Sequence, residues 1–216
     1  MIKTKLHWVF AIITYLLAVI SYIVALFIIK VSLMDTIFLF LVPLLAFVFP
    51  IYVTKTKKDF PLFITAMVCV EILICICGGS LFNLYDVFAP YDLILHCYFG
   101  FSCSMIIYYI LGKNSNKIKN KPIFFILIFL ATMGVGAIWE LWEYLCDLIT
   151  NGDALRVEES INKGLSPVAD TMEDLAITMV GIILFYIVVF IDSRLNNRLL
   201  HNFYEDDLEI SYNEKK

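Results

Sequence analysis

Gly136-Ala137-Ile138-Trp139-Glu140-Leu141-Trp142-Glu143-Tyr144-Leu145-Cys146-Asp147 decides how the rest of the chain is read. It continues an apolar run that opens at Ile123, so it forms the second half of a membrane helix. At ~3.6 residues per turn, Gly136, Glu140, Glu143 and Asp147 share one stripe of that helix. A carboxylate at the centre of a lipid-embedded helix costs roughly 2.5–3.5 kcal/mol on insertion scales. Two of them one turn apart also repel if both are ionised. Such acids must share a proton, meet a cation or face water inside the protein. That demand is the main functional clue in the sequence.

The composition agrees with a membrane setting. Hydrophobic residues make up 61% of the 216, and mean hydropathy is +0.86. Apolar runs of about 20 residues, each long enough to cross a bilayer, recur along the chain. The expected fold is an all-α, six-helix transmembrane bundle occupying residues 1–192. Its spans lie near 7–29, 33–54, 61–81, 92–111, 122–149 and 170–191, and a polar, frayed tail follows at 193–216. The first run resembles a signal sequence, but its apolar part is too long and lacks a small-residue cleavage site, so it reads as a retained span. Pro43 and Pro50 fall inside the second span, where kinks are tolerated. The stretch from Asn151 to Ala169 is long enough to lie over the membrane surface as a flap or short interfacial helix.

The basic residues orient the bundle. Of the 16 Lys and Arg, only Lys30, Arg156 and Lys163 fall on one side of a six-span arrangement. The other loops and ends carry the rest, which places both termini in the cytoplasm by the positive-inside rule. No basic patch with interleaved aromatics suggests a nucleic-acid partner. The six cysteines all lie in apolar stretches and make no secreted disulfide framework.

This orientation brings the polar residues of three spans to one leaflet. Asp92, His96 and Gly100 follow at i, i+4 and i+8 on the fourth span. Glu140, Glu143 and Asp147 lie in the outer half of the fifth. Asp170 and Asp174 open the sixth, with Thr178 and Gly181 continuing that face. The expected site takes Glu140 and Glu143 as catalytic groups, and His96, Asp170 and Asp174 as ligands of a divalent metal. Asp92, Arg156 and Thr178 are expected to bind substrate. An imidazole among carboxylates suits a cation that takes nitrogen and oxygen ligands.

Blander readings compete at several positions. Asp170 with Glu173 matches a helix capping box. His96 can act as hydrogen-bonding glue between helices, and Gly100, Gly136 and Gly181 as close-packing points. Trp139, Trp142 and Tyr144 suit interface anchoring. Glu71, alone in the middle of the third span, could partner His96 or the Glu pair, or face a wet cavity.

The same motifs carry a resemblance. Asp92-Leu-Ile-Leu-His96, Glu140-Leu-Trp-Glu143 and Asp174-Leu-Ala-Ile-Thr178-Met-Val-Gly181 resemble, in order and spacing, motifs of the VanZ-like membrane family. The second Glu, the Thr at an Asn position and Asp170-Thr171 before Asp174 look more like the YjdF-type bacterial inner-membrane family. The resemblance spans about Tyr91 to Leu184. It implies a multi-pass protein of the bacterial cytoplasmic membrane with an envelope role. Two functions stay open. One is a metal-dependent enzyme acting at the outer leaflet on a lipid or polyprenyl headgroup. The other is a cation- or proton-coupled transporter or ligand-binding protein, with a non-catalytic accessory protein as the plainest case.

Overall fold

The computed structural model describes residues 2–28, 31, 33–57, 60–82, 84–88, 90–113, 120–195 and 200. The sequence-predicted turn lysines Lys58, Lys117 and Lys119, together with Lys30 and nearly all of the tail beyond Leu195, lie outside this set. The described chain is helical, with no strand among the described residues: α1 Ile2–Ile28, α2 Leu33–Leu41, α3 Val48–Thr56, α4 Leu62–Leu73, α5 Leu84–Val87, α6 Tyr91–Gly112, α7 Lys121–Thr150, α8 Val157–Asn162 and α9 Ala169–Arg194. Among the described residues, six helical segments are long and apolar enough to cross a membrane: Thr4–Ile28, Thr36–Thr56, Leu62–Gly79, Tyr91–Gly112, Lys121–Thr150 and Ala169–Arg194.

The distribution of side chains is that of a membrane bundle. Phe27, Ile28, Ile138, Leu141 and Ile149 are all well exposed, whereas His7, Thr65, Ser104, Thr132, Asp174 and Thr178 are buried. An aqueous solvent would penalise both halves of that pattern; a lipid one favours it. Polar groups turn inward to find partners, and aliphatic ones face the acyl chains.

Two of the spans are not continuous α-helices, each for a local reason. Between α2 and α3 the chain tightens into a 3-10 stretch, Val42–Phe47, with Pro43 in its first turn. A proline supplies no N–H there and fits the start of a helical segment. Beyond α4 the helix widens into a π-helical stretch, Ile74–Leu81. The Tyr91 hydroxyl donates to the Ile74 carbonyl at 2.7 Å, at the point where the widening begins. A side chain inserted at a helix carbonyl is one of the established causes of such irregularity.

The helices pack as two groups. On α1, Ala11, Ala18 and Ala25 recur every seventh residue and are buried against α2, α4 and the 3-10 stretch. Small residues at this spacing let backbones approach closely. The second group is α4, α6, α7 and α9, joined through Ile64, Tyr108, Tyr109, Phe124, Ile128 and Phe185. Leu200 also packs into this core, and its N–H donates to Asp192 Oδ1 at 3.3 Å.

The α6–α9 contact is the most extensive in the molecule. It is made possible by Gly100 and Gly181. A Cβ on Gly100 would collide with the Thr178 carbonyl, and a Cβ on Gly181 would lie 3.0 Å from the Gly100 Cα and 2.8 Å from the Phe101 nitrogen. This crossing sets the distance between the polar stripes of the two helices. Gly136 differs, since a Cβ there would meet Phe99, Leu175 and Thr178 side chains at 3.6–3.8 Å, an ordinary contact.

The capping box that competes as a reading of Asp170 and Glu173 does not form. α9 begins at Ala169 behind Val168, and no side chain caps it. Asp170 therefore lies inside the first turn, where its charge suits the positive end of the helix dipole. Side-chain capping occurs instead in the neighbouring connection. Asp153 accepts from the N–H groups of Glu158 and Glu159 at the start of α8. Asp147 accepts from Ala154 and Leu155 at 2.6 and 3.0 Å. These bonds fold the connection back over the end of the bundle.

Candidate functional site

Three helices converge at the α8 end. His96 on α6 is one turn after Asp92, and its Nε2 lies 3.6 Å from Asp92 Oδ1. The same nitrogen lies 3.6 Å from Asp174 Oδ2 on α9. One ligand atom from each of Asp92, His96 and Asp174 falls within 4.8 Å of the others, so the group could hold a metal ion. The spacing bears on its chemistry. A hydrogen bond between imidazole and carboxylate spans ~2.7–2.9 Å. Two ligands of a tetrahedral metal at ~2.1 Å are about 3.4 Å apart. The two 3.6 Å separations are too long for the first and close to the second.

Asp92 has a further partner. Its Oδ2 lies 3.5 Å from Arg156, which also pairs with Glu159 and reaches the Tyr85 carbonyl at 3.5 Å. Arg156 caps α8 from a left-handed backbone position, φ 48°. Burial works against its charge, yet Glu159, Asp170 and Asp92 together hold the guanidinium above its ordinary value. Lys163 binds the other oxygen of Glu159. That hydrogen bond, with the Arg156 pairing, keeps the Glu159 carboxyl below its usual range despite partial burial. Beneath this lid, burial pushes the Tyr85 phenol well up, helped by the thiol of Cys75 and the charge of Asp92. Tyr85 lies 3.6 Å from the Cys75 Sγ.

The fifth-span acids diverge. Glu140 is buried, and its Oε2 has no hydrogen-bond partner among the described residues. It faces α9, beside Thr171 and within the field of Asp170 and Asp92. Glu143 accepts a hydrogen bond from Trp139 Nε1 at 3.0 Å and lies within the field of Glu140, Asp92 and Asp174. Thr178 is fully buried, and its Oγ1 also lacks a partner. A buried polar atom left unpaired costs about 1–3 kcal/mol, so Glu140 Oε2 and Thr178 Oγ1 call for a partner beyond the described side chains.

The predicted residues thus do not all come together. His96, Asp174 and Asp92 come together directly, with Asp92 among the potential ligands rather than apart from them. Arg156 joins through Asp92. Asp170 is half-buried at the start of α9, on the side toward Arg156 and Glu159, and is not one of the three clustered groups. Glu71 contacts neither His96 nor the Glu pair by hydrogen bond; Ser102 Oγ donates to its Oε2 at 2.9 Å.

Some polar contacts escaped the sequence. His7 is buried near the opposite end of α1, with Nδ1 2.7 Å from Thr65 Oγ1 and Nε2 3.1 Å from the Phe60 carbonyl. Only its position at the edge of an apolar run hinted at a tie between spans. The Trp139–Glu143 bond was foreseeable as an i, i+4 pair on one helix face.

A distant relative covers most of the chain. An uncharacterized protein of Thermotoga maritima is 27% identical over 166 residues, which is 77% of this chain and 82% of the relative. No solved structure matches. The family described as "Predicted membrane protein (DUF2238)" matches residues 11–194, a stretch that contains every residue of the cluster, and the chain belongs to that family.

Proposed function

We propose that the chain is a metal-dependent enzyme of the bacterial cell membrane, acting on a lipid or polyprenyl headgroup. In this reading Asp92, His96 and Asp174 hold one divalent cation. The observation that carries it is the pair of 3.6 Å separations from His96 Nε2 to two carboxylate oxygens on different helices. Three protein ligands leave coordination positions open, as catalytic rather than structural sites do. One imidazole among carboxylates suits zinc, manganese or ferrous iron. Together with Arg156 the cation would bring three positive charges to the acids crowded there.

When bound, such an ion activates water or polarises a phosphoryl or acyl oxygen. Glu140, with its unpartnered Oε2, would serve as the proton acceptor. Glu143 lies behind it, oriented by Trp139. Arg156 meets an anionic group of the substrate, and Thr178 offers a hydroxyl at the floor. The charge distribution of the loops supports cytoplasmic termini and a site in the outer leaflet. The motif order supports kinship with the VanZ-like and YjdF-type proteins and hence an envelope role.

A second reading draws on the Arg156–Asp92 contact. Here the cluster balances its charge with its own cations, Arg156 and protonated His96, and passes protons or holds a cationic ligand. Proteoliposomes separate the two. Supplied with a divalent cation and a bacterial lipid extract, the wild type should alter headgroup composition. Glu140→Gln should bind the metal and leave the lipids unchanged, whereas Asp174→Asn should lose the metal. Proton movement across the vesicle wall with no metal bound and no lipid change would favour the second reading and end the first.

A further inference from the structure

The connection between α7 and α9 ends α8 in an unusual way. Gly164 adopts φ +73°; its N–H bonds the Ile161 carbonyl, and the N–H of Leu165 bonds the Ser160 carbonyl, each at 2.9 Å. This is the glycine-terminated helix end in which the apolar residue after the glycine normally packs back on an apolar residue of the last turn. Here the position it would cover is Ser160, which is already buried. Leu165 is left 49% exposed, and Ile161 and Val168 are each 54% exposed. These are three large aliphatic side chains on a segment that belongs to no span.

The surroundings say what covers them. Leu148 and Ile149 at the end of α7 and Met172 in the first turn of α9 are also well exposed. Both helices are membrane spans, and their exposed aliphatic residues belong to the lipid-facing surface. Val168 is followed directly by Ala169, the first residue of α9. The same segment is tied inward by its charges, through Arg156 to Asp92 and to Glu159. One side of the connection is therefore fastened to the site, while its aliphatic residues are left without protein cover.

We infer that α8 and the turn through Val168 lie in the interfacial layer of the bilayer. Ile161, Leu165 and Val168 enter the boundary between headgroups and acyl chains, as the apolar residues of interfacial helices do. The Arg156–Asp92 contact then lies at the level of the headgroup layer. Acidic groups outnumber basic ones along residues 151–168, with Asp153, Glu158 and Glu159 beside Arg156 and Lys163. Insertion accordingly rests on apolar contact and needs no anionic lipid. The inference stands on the six spans and is independent of any metal.

The test is tryptophan fluorescence of the full chain in phosphatidylcholine vesicles with bromine on the upper acyl carbons. Leu165→Trp, and separately Val168→Trp should the first lower helical content, adds emission to that of the native Trp8, Trp139 and Trp142. The added emission should be blue-shifted, should lose most of its intensity to lipid bromine, and should not vary with the protein-to-lipid ratio. Emission that is unquenched by bromine but quenched by aqueous acrylamide would overturn the inference. So would a blue shift that appears only at high protein density, since a second copy of the chain would then be the cover.

Discussion

Alanine at Gly181 and alanine at Gly136 are the same chemical change, and the structure gives them opposite signs. A Cβ at Gly181 would meet the Cys97 carbonyl, the Phe101 nitrogen at 2.8 Å and the Gly100 Cα at 3.0 Å, all of them backbone. No rotamer can relieve that contact; the two helix axes must part. Overpacking of this kind costs about 1–3 kcal/mol, here at the upper end because only backbone is struck. The better helix propensity of alanine returns up to ~1 kcal/mol. The net expectation is a loss of roughly 2 kcal/mol. At Gly136 the nearest atoms are side-chain carbons at 3.6–3.8 Å, so the propensity gain of up to ~1 kcal/mol stands alone. Unfolding of the purified variants in mixed micelles of rising denaturing-detergent content should rank Gly136→Ala at or above wild type and Gly181→Ala well below it. Gly181→Ala should also weaken cation binding although no ligand is touched, because parting α6 from α9 carries Asp174 away from His96. Equal stability of the two variants would refute the reading of the α6–α9 crossing.

The remaining predictions concern topology and acid response. Reporter fusions after Lys58, Lys119 and the C-terminus should report cytoplasm, and one within residues 151–169 the outside; a cytoplasmic signal there would remove the outer-leaflet site. The Glu159 carboxyl is held below its ordinary value by Lys163 and Arg156, so its contribution is fully present above pH 4.5 and is lost as the pH falls through the lower, folded-state value. Protection of the α8 amides, taken relative to unstructured exchange at the same pH, should therefore fall in acid in the wild type more than in Glu159→Gln, and identical pH profiles of protection for the two would contradict the pairing.

What could be read from the sequence depended on whether a signal was local. The spans are local, since an unbroken apolar run needs no partner to declare itself, and all six recur in the structure within a few residues. The stripe from Asp92 to His96 is likewise fixed by helical period. Whether Asp170 or Asp174 stands beside His96 is not local. Both lie on an expected polar face, and the choice is made by how α9 crosses α6 at Gly100 and Gly181. The failed capping box has a related cause. The pattern at Asp170 and Glu173 is right, but the chain enters the helix earlier, from the turn at Ser166, whose carbonyl accepts from the Ala169 N–H. The widening after Leu73 was hidden for the same reason, because it answers to the hydroxyl of Tyr91, seventeen residues on from Ile74.

Pulsed electron-spin resonance of the purified chain titrated with Mn2+ at neutral pH tests the central claim most directly. The account predicts one Mn2+ per chain with a single imidazole nitrogen coupling. That coupling should be absent in His96→Gln and unchanged in His7→Gln, because His7 is held by Thr65 and Phe60 away from the cluster. Failure of the wild type to bind Mn2+ stoichiometrically, or a nitrogen coupling that survives in His96→Gln, would contradict a cation site built from Asp92, His96 and Asp174.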